Sequence, residues 1–180
     1  NLLLKIREQD KMLFLTEKIN IELPNEDTLH SFLKDIPDED WEGWTITRKE
    51  NTAHLNFNVT KTTNVGISVI KLNSVWDDLI KLEPNLLKFD PDLTKCWVTK
   101  MAPGGGIFSH LDYKRYTAKL IPIGPNKGEI HYHLHWKWKP FYTYKYIGPT
   151  LTRTNIPHSV RNDTGKDRYV IQIADKIPNA

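Results

Sequence analysis

Cysteine is almost absent from this 180-residue chain. Cys96 stands alone, which excludes an internal disulfide and fits a reducing compartment, expected here to be the cytoplasm. Long apolar runs are absent too: no stretch approaches the ~18 residues of a bilayer span, so no membrane partner is expected. Neither sign of charge is in large excess. With 25 Lys and Arg against 22 Asp and Glu, the formal net charge is +3, too small to demand a nucleic-acid or membrane-surface partner. Repeats, low-complexity tracts and linkers are missing, so residues 1–180 are expected to form one domain. A chain of this length buries roughly 70% of the surface it exposes when unfolded and needs no staples. It begins at Asn1 rather than Met, and the native start is expected upstream.

The first half, residues 1–93, reads as a mixed helix and strand support. Met12, Leu15 and Ile19 fall at helical spacing within 8–19, and "EDTLHSFLKDI" follows the Pro24-Asn25 break as a second helix. "WTITRKE", "AHLNFNV" and "NVGISVIKL" read as strands, with Leu55, Phe57 and Val59 on one side. Ser74 reads as the N-cap of a helix that stops before Pro84. From residue 94 to 180 the pattern is strand and turn. Strands are expected near 94–102, 114–123, 129–138, 141–147, 150–155 and 167–174, with breaks at "PGGG", "GPNKG" and "NDTGKD". Many short strands at this spacing predict a sandwich or barrel, mainly β with flanking helices.

"EIHYHLHWKWKP" (129–140) crowds three of the seven histidines into five residues. On a strand His131, His133 and His135 share a face with Lys137 and Lys139, opposite Ile130, Tyr132, Leu134, Trp136 and Trp138. Neighbouring ammonium groups disfavour a cation, and no glutamate follows a few residues on, as the cupin metal pattern requires. His131 and His133 are therefore read as lining a substrate cleft with a positive bias. The alternation of lysines and aromatics in "WKWKPFYTYKY" also occurs on single-strand nucleic-acid surfaces, but ordinary strand alternation explains it more simply.

A sparser set carries more chemistry. His110 and Asp112 are two residues apart, so in an extended segment both reach one side. Chance alone supplies about one His-x-acid in a chain of this composition, so the pair needs context. His158 follows 46 residues later in "NIPHSVRND", and Arg168 follows after ten more, opening "RYVIQIA". Singly, each has a plain reading: a loop pair, a histidine at a strand start, an arginine paired with Asp167 or Asp175. Together, two imidazoles and a carboxylate make a facial triad that leaves positions open on a divalent iron. An arginine facing into a barrel is costly unless it meets an anion, and its planar fork matches a carboxylate. Gly104, Gly105 and Gly106 are read as a bend beside the site. They are not a phosphate loop, since no Gly-Lys-Ser/Thr follows.

From about Trp97 to Ala174, "PGGGIFSHLD" and "PHSVRNDTGKDRYVIQIA" resemble the Fe(II)- and 2-oxoglutarate-dependent oxygenases. The aspartyl/asparaginyl β-hydroxylase-like and prolyl-hydroxylase-like branches are the nearest in pattern. The resemblance implies a double-stranded β-helix, a cupin-like jelly roll. It implies that His110, Asp112 and His158 hold iron and that Arg168 holds the distal carboxylate of 2-oxoglutarate. The expected activity is hydroxylation of an unactivated C–H bond using O2, on a peptide or amino-acid-like substrate. Val170 stands where some branches place a serine two residues after the arginine. A second carboxylate partner is therefore sought among Tyr116, Lys119 and Asn162. Two rival readings are a cupin-type metal enzyme that does not use 2-oxoglutarate and a non-catalytic β-sandwich binding module.

Overall fold

A computed structural model describes residues 15–44, 47–52, 57–62, 64–110, 112, 116–134 and 139–174. In chain order the elements are β1 (Thr16–Lys18), α1 (Glu26–Asp35), β2 (Glu42–Gly43), β3 (Thr47–Thr52), β4 (Phe57–Thr62), β5 (Asn64–Lys71), α2 (Leu72–Leu82), β6 (Trp97–His110), β7 (Thr117–Ile123), β8 (Glu129–Tyr132), β9 (Tyr142–Lys145), β10 (Thr150–Arg153), β11 (His158–Arg161) and β12 (Arg168–Ala174). Among the described residues no helix is long and apolar enough to cross a membrane.

One antiparallel sheet carries the fold, in the order β1-β10-β7-β12-β6-β11-β8-β9. β5 also pairs with β6, β2 pairs with β5, and β3 and β4 form a separate pair. The sheet is curled rather than flat. Ile130 on β8 and Thr152 on β10 line one cavity although β7, β12, β6 and β11 lie between their strands. The Tyr132 hydroxyl, at the end of β8, donates to Leu15 O (2.8 Å) and Arg153 O (3.1 Å), tying the two sides of the curl together.

β6 turns the corner. Its first half pairs with β12, Met101 opposite Arg168, and its second half pairs with β11, His110 opposite His158. The bend lies at the glycine run, and two of these positions admit no side chain. A Cβ at Gly105 would stand 2.8 Å from both Ala102 O and Gly66 O, and one at Gly106 would stand 2.7 Å from Val160 O. "PGGG" thus bends a continuous strand instead of ending it, and the strand expected to stop near 102 runs on to His110.

Alternation on the strands separates two interiors. Tyr169, Ile171 and Ile173 of β12 join Val98, Ile121 and Ile123 in a core roofed by α1 and α2 through Leu29, Leu33, Trp76 and Leu79. Each such fully buried aliphatic side chain contributes about 1.5–3 kcal/mol. The intervening residues Arg168, Val170 and Gln172 face the cavity instead.

Several local expectations need correction. Helix 8–19 is contradicted where it can be compared: Thr16–Lys18 is a strand against β10, and residues 8–14 lie outside the described residues. Extension there satisfies backbone groups along the Thr150–Thr152 edge, which overrides local helical spacing. Ser74 is not an N-cap. β5 runs straight into α2 at Leu72, and the Ser74 hydroxyl donates back to Lys71 O at 2.7 Å from inside the first turn. β8 ends at Tyr132 instead of 138, and His158, expected at most at a strand start, opens the four-residue strand β11. Leu55 and His135 lie outside the described residues.

Candidate functional site

His110 is brought to the cavity by a bulge. Between the paired positions Val160↔Ile107 and His158↔His110, β6 advances three residues while β11 advances two. Strict alternation would put Ile107 and Ser109 on one face. The extra residue instead puts His110 on the cavity face with Ile107. The His110 and His158 rings lie 4.3 Å apart, centroid to centroid, and tilted by 49°. Asp112 is anchored by its N–H to Thr154 O at 2.8 Å, and its Oδ1 stands 3.9 Å from His110 Nε2.

The two histidines are held alike. His110 Nδ1 lies 2.8 Å from Phe108 O, and His158 Nδ1 lies 2.8 Å from Ile156 O. A carbonyl only accepts, so both Nδ1 atoms carry the proton and both lone pairs sit on Nε2. A carbonyl holding one ring nitrogen in this way orients the other towards a metal. The donors are gathered but not closed. Two donors on one ion at about 2.0–2.2 Å stand roughly 3 Å apart, nearer than Asp112 and His110 stand here. In keeping with this, no three His, Cys, Asp or Glu among the described residues form a ready cage. The donor set, two imidazoles and one carboxylate, suits a borderline divalent ion such as iron.

Arg168 shares the same cavity, of about 180 Å³, with His110, Asp112 and His158. It is 2% exposed, and its Nε and Nη1 have no hydrogen-bond partner among the described residues. Its Cζ lies 5.4 Å from the Tyr146 ring centroid. Burial pushes the guanidinium pKa down, opposed by Tyr146 and Glu129 nearby. Desolvation pushes the Tyr146 phenol pKa up, opposed by Arg168, so the phenol remains a neutral donor. A buried cation with idle N–H groups is costly, and a carboxylate is the anion its fork would accept. A small dicarboxylate would meet these donors at Arg168.

The second carboxylate partners sought from sequence lie elsewhere. Tyr116 is 63% exposed, and Lys119 Nζ donates to Phe89 O at 3.2 Å. Asn162 is a buried strut whose Nδ2 donates to Met101 O, Ala102 O and Lys166 O, bracing the β6 bend. None of the three lines the cavity. Sequence reasoning missed Thr99, Thr152 and Tyr146. Their hydroxyls are buried without a well-formed hydrogen bond, although the Tyr146 phenol and Thr152 lie close together. The signal was present in "TLTRT": Thr150, Thr152 and Thr154 share one face, and all are buried.

His131 and His133 do not line the cavity either. His131 contacts Thr143 Oγ1 through Nδ1 (2.9 Å) and Glu129 Oε1 through Nε2 (3.3 Å). His133 is buried, with Nε2 on Ser159 Oγ at 2.8 Å. His131 takes the face of β8 opposite Ile130 and His133 follows the end of that strand, so neither lines this cavity, contrary to the expectation.

No protein-family model and no curated protein matches the sequence. Solved structures do. A prolyl-4-hydroxylase from Pseudomonas putida superposes with a TM-score of 0.52 at 11% identity, covering 92% of this chain and 94% of its own. The fold is a double-stranded β-helix. An oxidoreductase of the 2OG-Fe(II) oxygenase family from Burkholderia pseudomallei gives a TM-score of 0.47 at 14% identity, over 82% of this chain and 76% of its own. The likeness in fold rests on the hydroxylase.

Proposed function

We propose that this chain is an Fe(II)- and 2-oxoglutarate-dependent dioxygenase that hydroxylates an unactivated C–H bond. One observation carries the reading: Arg168, buried with idle Nε and Nη1, lines the same small cavity as His110, Asp112 and His158. A β-sandwich binding module gives that arginine no task, nor does a metal enzyme that ignores 2-oxoglutarate.

In this reading His110 and His158, through Nε2, and Asp112, through its carboxylate, hold the iron. When bound, iron and O2 supply the oxidising power that side chains lack, so that R–H, 2-oxoglutarate and O2 become R–OH, succinate and CO2. The protein binds and orients. Arg168 takes the distal carboxylate on its planar fork, with the Thr99 and Thr152 hydroxyls as further donors. Leu120, Ile130 and Val170 give the cavity apolar walls that exclude water. A peptide or amino-acid-like substrate rests on resemblance alone, and the surface beside the site favours another class.

The test is anaerobic addition of Fe(II) and then 2-oxoglutarate. A weak visible charge-transfer band is expected, lost in Arg168→Ala and in His158→Ala, together with slow substrate-free succinate release in air. Wild-type binding of iron and cosubstrate in both variants would overturn the assignment.

A further inference from the structure

We infer that the molecule presented to this site is a single-stranded nucleic acid. The chemistry rests on the dioxygenase reading; the binding does not. The modest net charge hides an uneven distribution. From Phe108 to Arg161 the sequence has nine Lys and Arg against Asp112 and Glu129, a formal +7, so the remainder carries −4. Lys119, Lys127 and Arg161 are engaged with Phe89 O, Glu26 and Asp163, but Lys139 and Lys145 are exposed.

The same segment exposes flat apolar groups. Of eight exposed large hydrophobic side chains among the described residues, six lie in this segment: Phe108, Tyr116, Leu134, Phe141, Tyr142 and Ile147, exposed from 40% (Tyr142) to 68% (Leu134). The backbones of the first three are tied to the site. Phe108 O holds His110 Nδ1, and Tyr116 O accepts from Thr154 N, whose own carbonyl anchors Asp112. Leu134 follows His133, whose N–H donates to Pro157 O, next to His158. A run of rings leads inward from Tyr142: to Tyr132 at 6.1 Å, then His158 at 6.3 Å, then His110 at 4.3 Å. Exposed apolar patches of this kind mark binding surfaces.

Lys139 stands two residues from Phe141 and three from Tyr142, all exposed, and this mix of cation and rings selects the occupant. An acidic peptide would use the cations and leave Phe108, Phe141 and Tyr142 idle. In a duplex the base faces are already stacked. A single strand offers phosphates to the lysines and free base faces to the rings.

The experiment is fluorescence anisotropy with a labelled oligothymidylate about a dozen nucleotides long. Neither iron nor 2-oxoglutarate is added, so a chain lacking the cosubstrate band can still pass and one showing it can still fail. The single strand is expected to bind at least about tenfold tighter than a duplex of equal length or polyglutamate of matched charge. The double variant Phe141→Ala/Tyr142→Ala should weaken binding by about tenfold or more with far-UV dichroism unchanged. Lys139→Gln should reduce the slope of log affinity against log salt by about 0.7. Should the double variant misfold, Phe108→Ser, on a separate strand, reads the same surface and should also weaken binding. Unaltered affinity in the folded variants, or a duplex binding as tightly, overturns the inference. Polyglutamate binding as tightly or better replaces it with an acidic-peptide partner.

Discussion

Gly128 and Arg168 are sterically matched: a Cβ at Gly128 would overlap Nη1, Cζ and Nε of the guanidinium. Gly128 also has φ +73°, a conformation that alanine tolerates poorly. Gly128→Ala is therefore expected to displace Arg168 and weaken 2-oxoglutarate at least about tenfold, a loss of about 1.4 kcal/mol in binding. Titration of the charge-transfer band measures this. Gly124→Ala is the control. It too has positive φ, and its Cβ would meet the His30 ring, outside the cavity. It should lower stability and leave the 2-oxoglutarate midpoint unchanged.

An arginine retained for a ligand makes the empty protein less stable than it could be. Replacing a buried, unpaired cation by an apolar side chain of similar length is often stabilising by about 1–4 kcal/mol. Arg168→Met should thus melt a few degrees above the parent without cosubstrate. The parent should gain stability from Fe(II) and 2-oxoglutarate under anaerobic conditions, and the variant should not. Thermal melts of both proteins, with and without the additions, decide this. A lower melting point for Arg168→Met would make the arginine a structural partner of Tyr146 instead.

Alkaline pH should erode stability early. Burial, with Asp167 and Asp38 nearby, pushes the Tyr169 pKa up to about 12, and burial raises Tyr132 and Tyr146 further. Unfolded tyrosines ionise near 10. Above that pH the unfolded state releases protons that the folded state keeps. The contribution is therefore whole below about pH 10 and is lost as pH climbs through the folded values. The lowered Arg168 pKa acts in the opposite direction, but only as pH approaches that group's higher range. Melting temperatures should fall from about pH 10 upward, and more gently in Tyr169→Phe. An equal fall in both proteins would show that Tyr169 does not contribute.

Residue types and their order along the chain grouped His110, Asp112, His158 and Arg168, and the four line one cavity. The bend and the bulge were not legible. "PGGG" has the composition of a turn, and only the carbonyls of Ala102, Gly66 and Val160 show why the strand needs glycine while it continues. β11 is four residues long and pairs on both sides, with His110 and with Tyr132. Such a strand is made by its neighbours rather than by propensity. Asn162 drew attention as a polar residue near the arginine, yet it braces the backbone, a role fixed by contacts 60 and 61 residues away. The histidine tract was conspicuous because it was dense, but density does not determine which way a face points.

β6 carries Met101 opposite Arg168 and His110 opposite His158, so one continuous backbone spans from the cation to the imidazoles. Loop insertions leave that interval untouched; only a change of register within the strand alters it. Under the proposed function, descendants of this chain would exchange one oxidised molecule for another by rewriting the connections after His110 and Tyr132, while the length of the small acid taken beside it stayed fixed.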